Sequence, residues 1–585
     1  MTSIFRSYRA SAWACLLSCA GVFLVSMLCR HADAYRFFWA ILCVPFFLGS
    51  RRFFLQGAVK GRLLALSVSF IYLLLQSYGY QITLYDVGTI ESMLICLGLS
   101  LCLAPAPAYL IVRFFHLEPP VLSGKSQSFS WRIWLRRTVI LLLAWSPVFL
   151  AFFPGMFDHD ADVQLAQYLN GTIDAWHPPL HTLWLGLCYS LGDFIGSYNI
   201  AFAIHTLSQM GMMAAIFAYA LCYLDEIACP RIICNALMLI FAVSPVHSVL
   251  VISCTKDILF TGLYLVIALE YHRFFRHPDF RPITILKFLV LALFACLMRN
   301  NACYGLLAFC PLSVLLARRG LRLRVAALTL SCFALSFFAY QTIQNQVGNK
   351  VVEIRETMSI PIQQLARTCL LVPEDEHPYR EEILEYLPRP DEYLYYRSDD
   401  LKWQRPELVA QRLPEFLDLW LRVVQEYPVI SMDAFLKQTQ GYWWMDDESH
   451  ARSYGSGYDT NIGYLFMRQF EGFQIGHVGF LPPLKHLFRL LFNDNLYQKI
   501  PILSLLFAPA FYLWLALLVA CRALVKKQIP ILIVCLLMLC YQATLFLGPC
   551  VLIRYNYPLM VITTIALIMT FIPSACKDTA ADVPA

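Results

Sequence analysis

The stretch FFPGMFDHDADVQLAQYLNGTIDAWHPPLHTLW, residues 152–184, begins where an apolar run ends and continues into a cluster of carboxylates. Asp158, Asp160 and Asp162 stand within five positions, and His177 follows, ahead of two prolines. A long apolar run that gives way to acidic residues is typical of a chain that leaves a bilayer for water. This boundary predicts a membrane-spanning fold with a polar loop at its edge.

The composition of the whole chain leads to the same fold class. Of its 585 residues, 59% are hydrophobic and 14% are charged. A soluble domain cannot bury so much apolar surface, and the apolar runs are continuous, whereas barrel strands would alternate. The sequence therefore predicts an all-α polytopic membrane protein. The net charge of +6 comes from basic residues in short loops, which is a topology pattern, and we expect no nucleic-acid partner.

The apolar runs predict about fourteen transmembrane helices, the first of them retained and not cleaved as a signal peptide. They cover residues 10–29, 37–50, 63–84, 91–113, 138–154, 199–224, 231–252, 258–275, 283–298, 302–317, 324–342, 501–522, 529–548 and 556–573. Most of the 21 cysteines lie inside these runs, where cysteine behaves as a small hydrophobe, and no disulfide framework is predicted.

The segment 178–192 is apolar but short, and the distribution of basic residues decides its orientation. If it does not cross the membrane, the basic loops at 273–281, 318–324 and 522–527 all lie in the cytoplasm with Arg6 and Arg9. We therefore predict an interfacial or re-entrant helix at 178–192. Both termini are then cytoplasmic, and the long polar insert is external.

The pattern predicts four regions. These are an N-terminal four-span region (1–137), a membrane core (138–342) with an external aspartate loop (155–198), an external and mostly helical insert (343–500), and a C-terminal three-span region with a short cytoplasmic tail (501–585). Within the insert, residues 453–461 form a turn-rich loop, and the basic amphipathic segment 481–492 is expected on the membrane surface.

The aspartate loop is the first candidate site. A helix that begins near Asp160 places Gln164 and Gln167 on the same face. A carboxylate there could accept a proton from a nucleophile or, with His177, hold a divalent cation such as Mg²⁺ or Mn²⁺. The plainer interpretation is that the acids keep an external loop hydrated and that the histidine is structural.

Three further external turns carry polar groups. The turn SCTKDILF contains Lys256 and Asp257, MRNNACYG contains Arg299, and GPCVLIRYNYP contains Arg554. Arginines on the side where basic residues are disfavoured suit a phosphate group, although snorkelling or surface pairing would also explain them. No Walker A, GxGxxG or HExxH motif is present, and no acid lies in the middle of a predicted span, which argues against an ion-coupled transporter.

These motifs, in this order, resemble the GT-C superfamily of membrane glycosyltransferases and most closely its bacterial DUF6020-type proteins. The resemblance covers about residues 138–573. Its motifs are Pro154, Gly155, Asp160 and Gln164; His177 and Pro178; Lys256 and Asp257; Arg299, Asn300 and Asn301; Arg554 to Pro558; and Glu426 to Trp443.

The resemblance implies a GT-C fold in a bacterial plasma membrane and transfer of a sugar from a polyprenyl-phosphate carrier to a glycan, lipid or protein on the external face. It also implies that Asp160 is the catalytic carboxylate, with Asp158 and Asp162 crowding the same site. The substrate-binding residues would then be Gln164, His177, Lys256, Asp257, Arg299, Asn300, Arg554 and Tyr555.

Two alternatives make different demands on the same residues. A transporter or flippase of lipid-linked saccharides needs the arginines but no carboxylate cluster, and it needs a continuous polar path. A non-catalytic membrane scaffold would tolerate loss of both Asp160 and Arg554.

Overall fold

The computed structural model of the chain describes residues 2–28, 36–56, 59–85, 90–118, 124–157, 159–173, 177–347, 350–445, 472–492 and 496–572. It is built from α-helices, which confirms the predicted all-α class. The sheet in the described part of the chain is a single pair of two-residue strands.

The N-terminal region consists of apolar helices, two of which form a bent pair. These helices are α1 (Thr2–Leu28), α2 (Arg36–Leu55), α3 (Arg62–Tyr85), α4 (Ile90–Leu103) and α5 (Pro105–His116). The predicted single span 91–113 is bent by 52° between α4 and α5. Pro105 stands at the start of α5, and because a proline ring clashes with the preceding turn, an uninterrupted helix is disfavoured there.

The central region supplies most of the candidate site. Its elements are α6 (Trp131–Ala151), β1 (Met156–Phe157), α7 (His159–Asn170), α8 (Pro179–Ile195), α9 (Tyr198–Glu226), α10 (Arg231–Val243), α11 (Pro245–Val251), β2 (Ser253–Cys254), α12 (Lys256–Arg276), α13 (Pro282–Met298), α14 (Asn301–Leu316) and α15 (Arg322–Val347). A short 3₁₀ turn at Arg319–Leu321 precedes α15. The predicted span 231–252 is bent by 58° between α10 and α11, where Pro245 begins the second helix.

The strands β1 and β2 join two loops at one end of these helices. They pair in parallel, with Met156 opposite Ser253 and Phe157 opposite Cys254. Backbone hydrogen bonds therefore fix the residues that precede α7 against those that precede α12.

The described part of the insert is mostly helical, as predicted. Its helices are α16 (Lys350–Thr357), α17 (Ser359–Leu371), α18 (Arg380–Tyr386), α19 (Asp399–Lys402), α20 (Pro406–Gln411), α21 (Leu413–Glu426), α22 (Pro428–Trp443) and α23 (Pro482–Phe492), with 3₁₀ turns at Glu374–Glu376, Pro390–Glu392 and Leu496–Lys499. Buried residues from Ile362 to Val423 form a separate core in the insert. The predicted loop at 453–461 lies outside the described residues.

The C-terminal helices are α24 (Pro501–Phe507), α25 (Pro509–Val525), α26 (Ile529–Leu545) and α27 (Ile553–Met569). They pack with α12 and α14, so that the start of α27 lies beside the start of α12. The largest core of the molecule, which includes Trp145, Phe260 and Tyr557, extends through the central and C-terminal helices.

The lengths and composition of several helices suit a bilayer. Six are long and apolar enough to cross it, and the number is eight if each bent pair counts as one span. The helix α8, predicted as interfacial or re-entrant, is not among these candidate spans of the described chain. These helices mark a membrane protein, while the number fourteen, the sidedness and the domain boundaries stay predictions.

Candidate functional site

A tight turn leads from α6 to the aspartate loop. Gly155 has φ of +132°, a conformation that side chains rarely adopt, and a Cβ there would lie 2.3 Å from Oγ1 of Thr206. β1 follows this turn at once, and α7 places Asp160 in its first turn. The glycine thus lets the backbone pass close to α9 and sets the position of Asp160.

The Asp160 carboxylate binds two cations from distant parts of the chain. Its Oδ2 accepts hydrogen bonds from Nζ of Lys256 and Nη1 of Arg554, each at 3.0 Å. Lys256 is the first residue of α12, and Arg554 lies in the first turn of α27. Asp160 keeps 21% of its side chain exposed, so the carboxylate is accessible from outside the cluster.

A second ion pair adjoins the first. The guanidinium of Arg299 binds Oδ1 of Asp257, and Arg554 Nη1 lies 3.7 Å from Oδ2 of the same aspartate. Arg554 also donates to the Thr255 hydroxyl at 3.2 Å. Arg554 therefore joins both carboxylates, and together with Asp160 and Lys256 these residues form what we term the ion-pair cluster: Asp160, Lys256, Asp257, Arg299 and Arg554.

The ion-pair cluster carries an excess of positive charge. Its three cations face two carboxylates, which leaves one net positive charge. Arg554 and Asp257 are almost fully buried, with 4% and 1% of their side chains exposed. A buried excess cation favours an anionic ligand, because the attraction is weakly screened away from water.

Tyr555 lies between the two arginines. The guanidinium carbon of Arg299 is 4.2 Å from the centre of the tyrosine ring, and that of Arg554 is 5.1 Å from it. The aromatic face stabilises two cations that would otherwise repel each other at close range.

The neighbouring charges keep Asp160 ionised. Burial by itself would raise the pKa of the Asp160 carboxyl, but the charges of Arg554, Lys256 and His177 outweigh burial and hold the pKa well below its usual value of 3.8. At neutral pH the group is a carboxylate that can accept a hydrogen bond.

The other predicted residues are placed in different ways. His177 is buried, and its Nδ1 accepts a hydrogen bond from Lys256 Nζ at 3.3 Å, which joins it to the ion-pair cluster. Gln164 forms hydrogen bonds with His181 and Thr182. Asp162 Oδ1 accepts from the Val163 backbone N–H, on a different face of α7 from Asp160. Asp158 lies outside the described residues.

Among the described residues, no hydrogen bond links Asn300 to the ion-pair cluster. It precedes α14, its backbone oxygen accepts from Cys303 N, and its Oδ1 has no partner in the described chain. The predicted contact of Asn300 with substrate stays a prediction.

Thr255 is a member of the site that the sequence analysis did not select. Its hydroxyl accepts from Arg554 and from the Asp257 backbone N–H and donates to the Asp257 carboxylate at 3.2 Å. It is the N-cap of α12. A threonine two residues before an aspartate, at the start of an apolar run, is a helix N-cap pattern that could have identified it.

The predicted divalent cation between Asp160 and His177 would have to compete with a side chain. The Lys256 ammonium lies 3.0 Å from Asp160 Oδ2 and 3.3 Å from His177 Nδ1, so it bridges the two proposed ligands. A cation bound there would displace Lys256, and this metal stays a prediction.

The insert contacts the segment that carries Arg554. Ser398 N donates to the Pro549 oxygen at 3.0 Å, and Gln438 Nε2 donates to the Gly548 oxygen at 2.8 Å. The Tyr442 hydroxyl donates to the Cys550 oxygen at 3.3 Å. The insert therefore packs against the turn directly before α27 and lies next to the ion-pair cluster.

Comparison with known proteins identifies a family. A family model described as "Family of unknown function (DUF6020)" matches residues 166–583, which include His177, Lys256, Asp257, Arg299 and Arg554. The match begins six residues after Asp160. No curated protein and no solved structure matches the chain. Since the family model matches more than half of the chain, the protein belongs to the DUF6020 family, whose function is unknown.

Proposed function

We propose that the protein is a membrane glycosyltransferase of GT-C type, which moves a sugar from a polyprenyl-phosphate carrier to an acceptor on the external face of the plasma membrane. The observation that carries this proposal is the Asp160 carboxylate, partly exposed and bound to both Lys256 and Arg554 in a cluster with one net positive charge. A base beside buried cations is what transfer from a phosphate leaving group requires.

The proposed reaction is a displacement at the anomeric carbon of the sugar. An acceptor hydroxyl attacks that carbon, and the bond between the carbon and the phosphate oxygen breaks. The phosphate leaves with the bonding electron pair, and Arg554 and Lys256 neutralise its charge. As Arg554 and Lys256 bind the departing phosphate, they stabilise the Asp160 carboxylate less, so that it becomes a stronger base and accepts the proton of the hydroxyl, and atoms and charges balance.

The surroundings of the cluster suit a lipid-linked donor. Apolar helices α12 and α27 begin at Lys256 and just before Arg554, so the cluster lies at the ends of apolar helices, where a sugar can react at the edge of the membrane. The insert reaches the turn before Arg554, which supports a role for the insert in binding the acceptor.

The test is release of lipid phosphate by the purified full-length protein in detergent. Wild type, Asp160→Asn and Asp418→Asn are incubated with a panel of polyprenyl-phosphate sugars and simple acceptors. Asp418 is a matched control, since 69% of its side chain is exposed and it pairs with Arg422 on the insert surface.

We expect release from one donor by wild type and by Asp418→Asn, and a loss of about 10²–10⁴-fold in Asp160→Asn, the usual effect of removing a general base. Donor binding without release, equal in all three proteins, would contradict the proposal and favour a flippase. Failure to bind any donor would also contradict the proposal and would favour a non-catalytic membrane scaffold.

A further inference from the structure

A second group of polar side chains lies near the ion-pair cluster, at His181 of α8, His205 of α9 and Cys254 of β2. Each offers one ligand atom, and these atoms lie within 4.8 Å of one another. The two histidines are 0% exposed and the cysteine is 1% exposed. Three metal-binding side chains that converge in the buried interior require an explanation, because buried polar atoms are normally satisfied.

The hydrogen bonds around His181 leave one nitrogen available. Gln164 Nε2 donates to the Thr182 hydroxyl at 3.0 Å, so its Oε1 faces Nδ1 of His181, also at 3.0 Å. Nδ1 therefore carries the proton, and Nε2 keeps its lone pair. Nε2 is buried and has no hydrogen-bond partner among the described residues. Metal-binding histidines are held in this way, with the second nitrogen donating to a fixed oxygen.

The other two ligands are already close to bonding positions. His205 Nε2 lies 3.9 Å from Cys254 Sγ. A nitrogen about 2.0 Å and a sulfur about 2.3 Å from one ion, roughly 120° apart, are separated by about 3.7 Å. The rings of Trp184 and Phe202 lie against His205, with centroids 4.0 Å and 5.8 Å away, and enclose the group.

We propose that His181, His205 and Cys254 bind one copper(I) ion. Imidazole and thiolate ligands suit either copper(I) or zinc, and structural zinc takes four ligands. No fourth His, Cys, Asp or Glu joins the group in the described part of the chain.

Charge also favours copper(I). With one thiolate, copper(I) gives a neutral centre, whereas zinc leaves a buried positive charge two residues from Lys256. Binding releases the thiol proton of Cys254 to solvent and transfers no electron. The ion would join α8, α9 and β2 near the ion-pair cluster.

The test measures metal content and coordination in the full-length protein. Because the ligands are buried, copper is supplied during expression, with zinc present as a competitor. The protein is purified in detergent, passed over a chelator, and analysed for metals per chain and by X-ray absorption at the copper edge. The variants are Cys254→Ser, His181→Ala and Gln164→Leu. The control is Cys188→Ser, which removes a different buried cysteine, on α8, that lies outside the group.

We expect about one copper per chain in wild type and in Cys188→Ser, with an absorption edge of copper(I) bound to nitrogen and sulfur. Cys254→Ser and His181→Ala should retain less than one tenth of that copper, and Gln164→Leu should bind it roughly 10–100-fold more weakly, as loss of an outer hydrogen bond does. Wild type without copper, wild type with zinc in its place, or a copper content unchanged in both ligand variants would overturn the proposal. The wild-type spectrum decides even if a variant fails to fold.

Discussion

Asp160 and Arg554 are separated by 394 residues in the sequence, yet Asp160 Oδ2 lies 3.0 Å from a guanidinium nitrogen of Arg554. The first turn of α7 is thereby joined to the first turn of α27. The family match includes Arg554 and begins just after Asp160, so this ion pair joins the matched region to the residues immediately before it. The candidate site exists only when both ends of this region have folded together.

Arg554 should contribute to donor binding through its buried guanidinium group. Its Nη1 alone contacts Asp160, Asp257 and Thr255, and Arg554→Lys keeps the charge but places the ammonium one bond nearer the backbone, short of that position. In the lipid-phosphate assay we expect KM for the donor to rise about tenfold or more. The matched control is Arg422→Lys on the insert surface, which should change KM by less than twofold. An unchanged KM in Arg554→Lys would show that Arg554 does not bind the donor phosphate.

The ion pair of Arg299 with Asp257 should dominate local stability. Asp257 is 1% exposed, so Arg299→Ala leaves a buried carboxylate with one partner fewer. Loss of one member of such a pair costs about 3–5 kcal/mol, which thermal unfolding in detergent would detect as a lower Tm.

The double variant Arg299→Gln with Asp257→Asn replaces both charges by neutral groups. We expect this double variant to be more stable than the sum of the two single variants predicts. Each single variant leaves one uncompensated charge, whereas the double variant leaves none of the pair. Strict additivity would show that the two side chains do not interact.

The pKa of Asp160 gives stability a defined pH dependence. Because this pKa is lower in the folded protein than its usual 3.8, the ion pairs of Asp160 contribute fully above that value and are lost as the pH falls through the folded pKa. The difference in Tm between wild type and Asp160→Asn should stay constant from about pH 8 to pH 5 and shrink below about pH 4. A difference that disappears already near pH 6 would show that the carboxyl is not held ionised.

Gly155 should be intolerant of any side chain. Gly155→Ala places a Cβ 2.3 Å from the Thr206 hydroxyl at φ of +132°. We expect the free energy of unfolding to fall by about 1–3 kcal/mol and transfer activity to be lost. Gly211→Ala is the control, since a Cβ there meets nothing within 4 Å and α9 gains a better helix former. Equal Tm values for the two variants would contradict the steric argument.

Local pattern was sufficient for the helices but not for their bends or partners. The apolar runs located each predicted span on one helix or on two successive helices, because hydropathy is a local property. The runs 91–113, 231–252 and 501–522 were predicted as single spans, although Pro105, Pro245 and Pro509 marked the interruptions that the structure shows.

The candidate site could be predicted in outline only. The distribution of basic residues placed Asp160, Lys256, Arg299 and Arg554 in loops on one side, and the structure brings these residues together. The sequence pattern could not predict that Arg299 binds Asp257, or that Cys254 contacts His205, because such pairs depend on how distant elements pack. Gln164 was assigned to substrate, whereas its bonds hold His181 and Thr182.

The two-residue pairing of β1 with β2 limits how the site can open. Its backbone hydrogen bonds hold the loop before Asp160 against the loop before Lys256, so these two side chains move as one unit. Arg554 lies on α27, outside that pairing. A ligand that separates Asp160 from Arg554 would therefore do so by shifting the start of α27, and the insert, which is bonded to the preceding turn, would move with it. Entry of a ligand and displacement of the insert are thus coupled through the hydrogen bonds between the insert and the turn before α27.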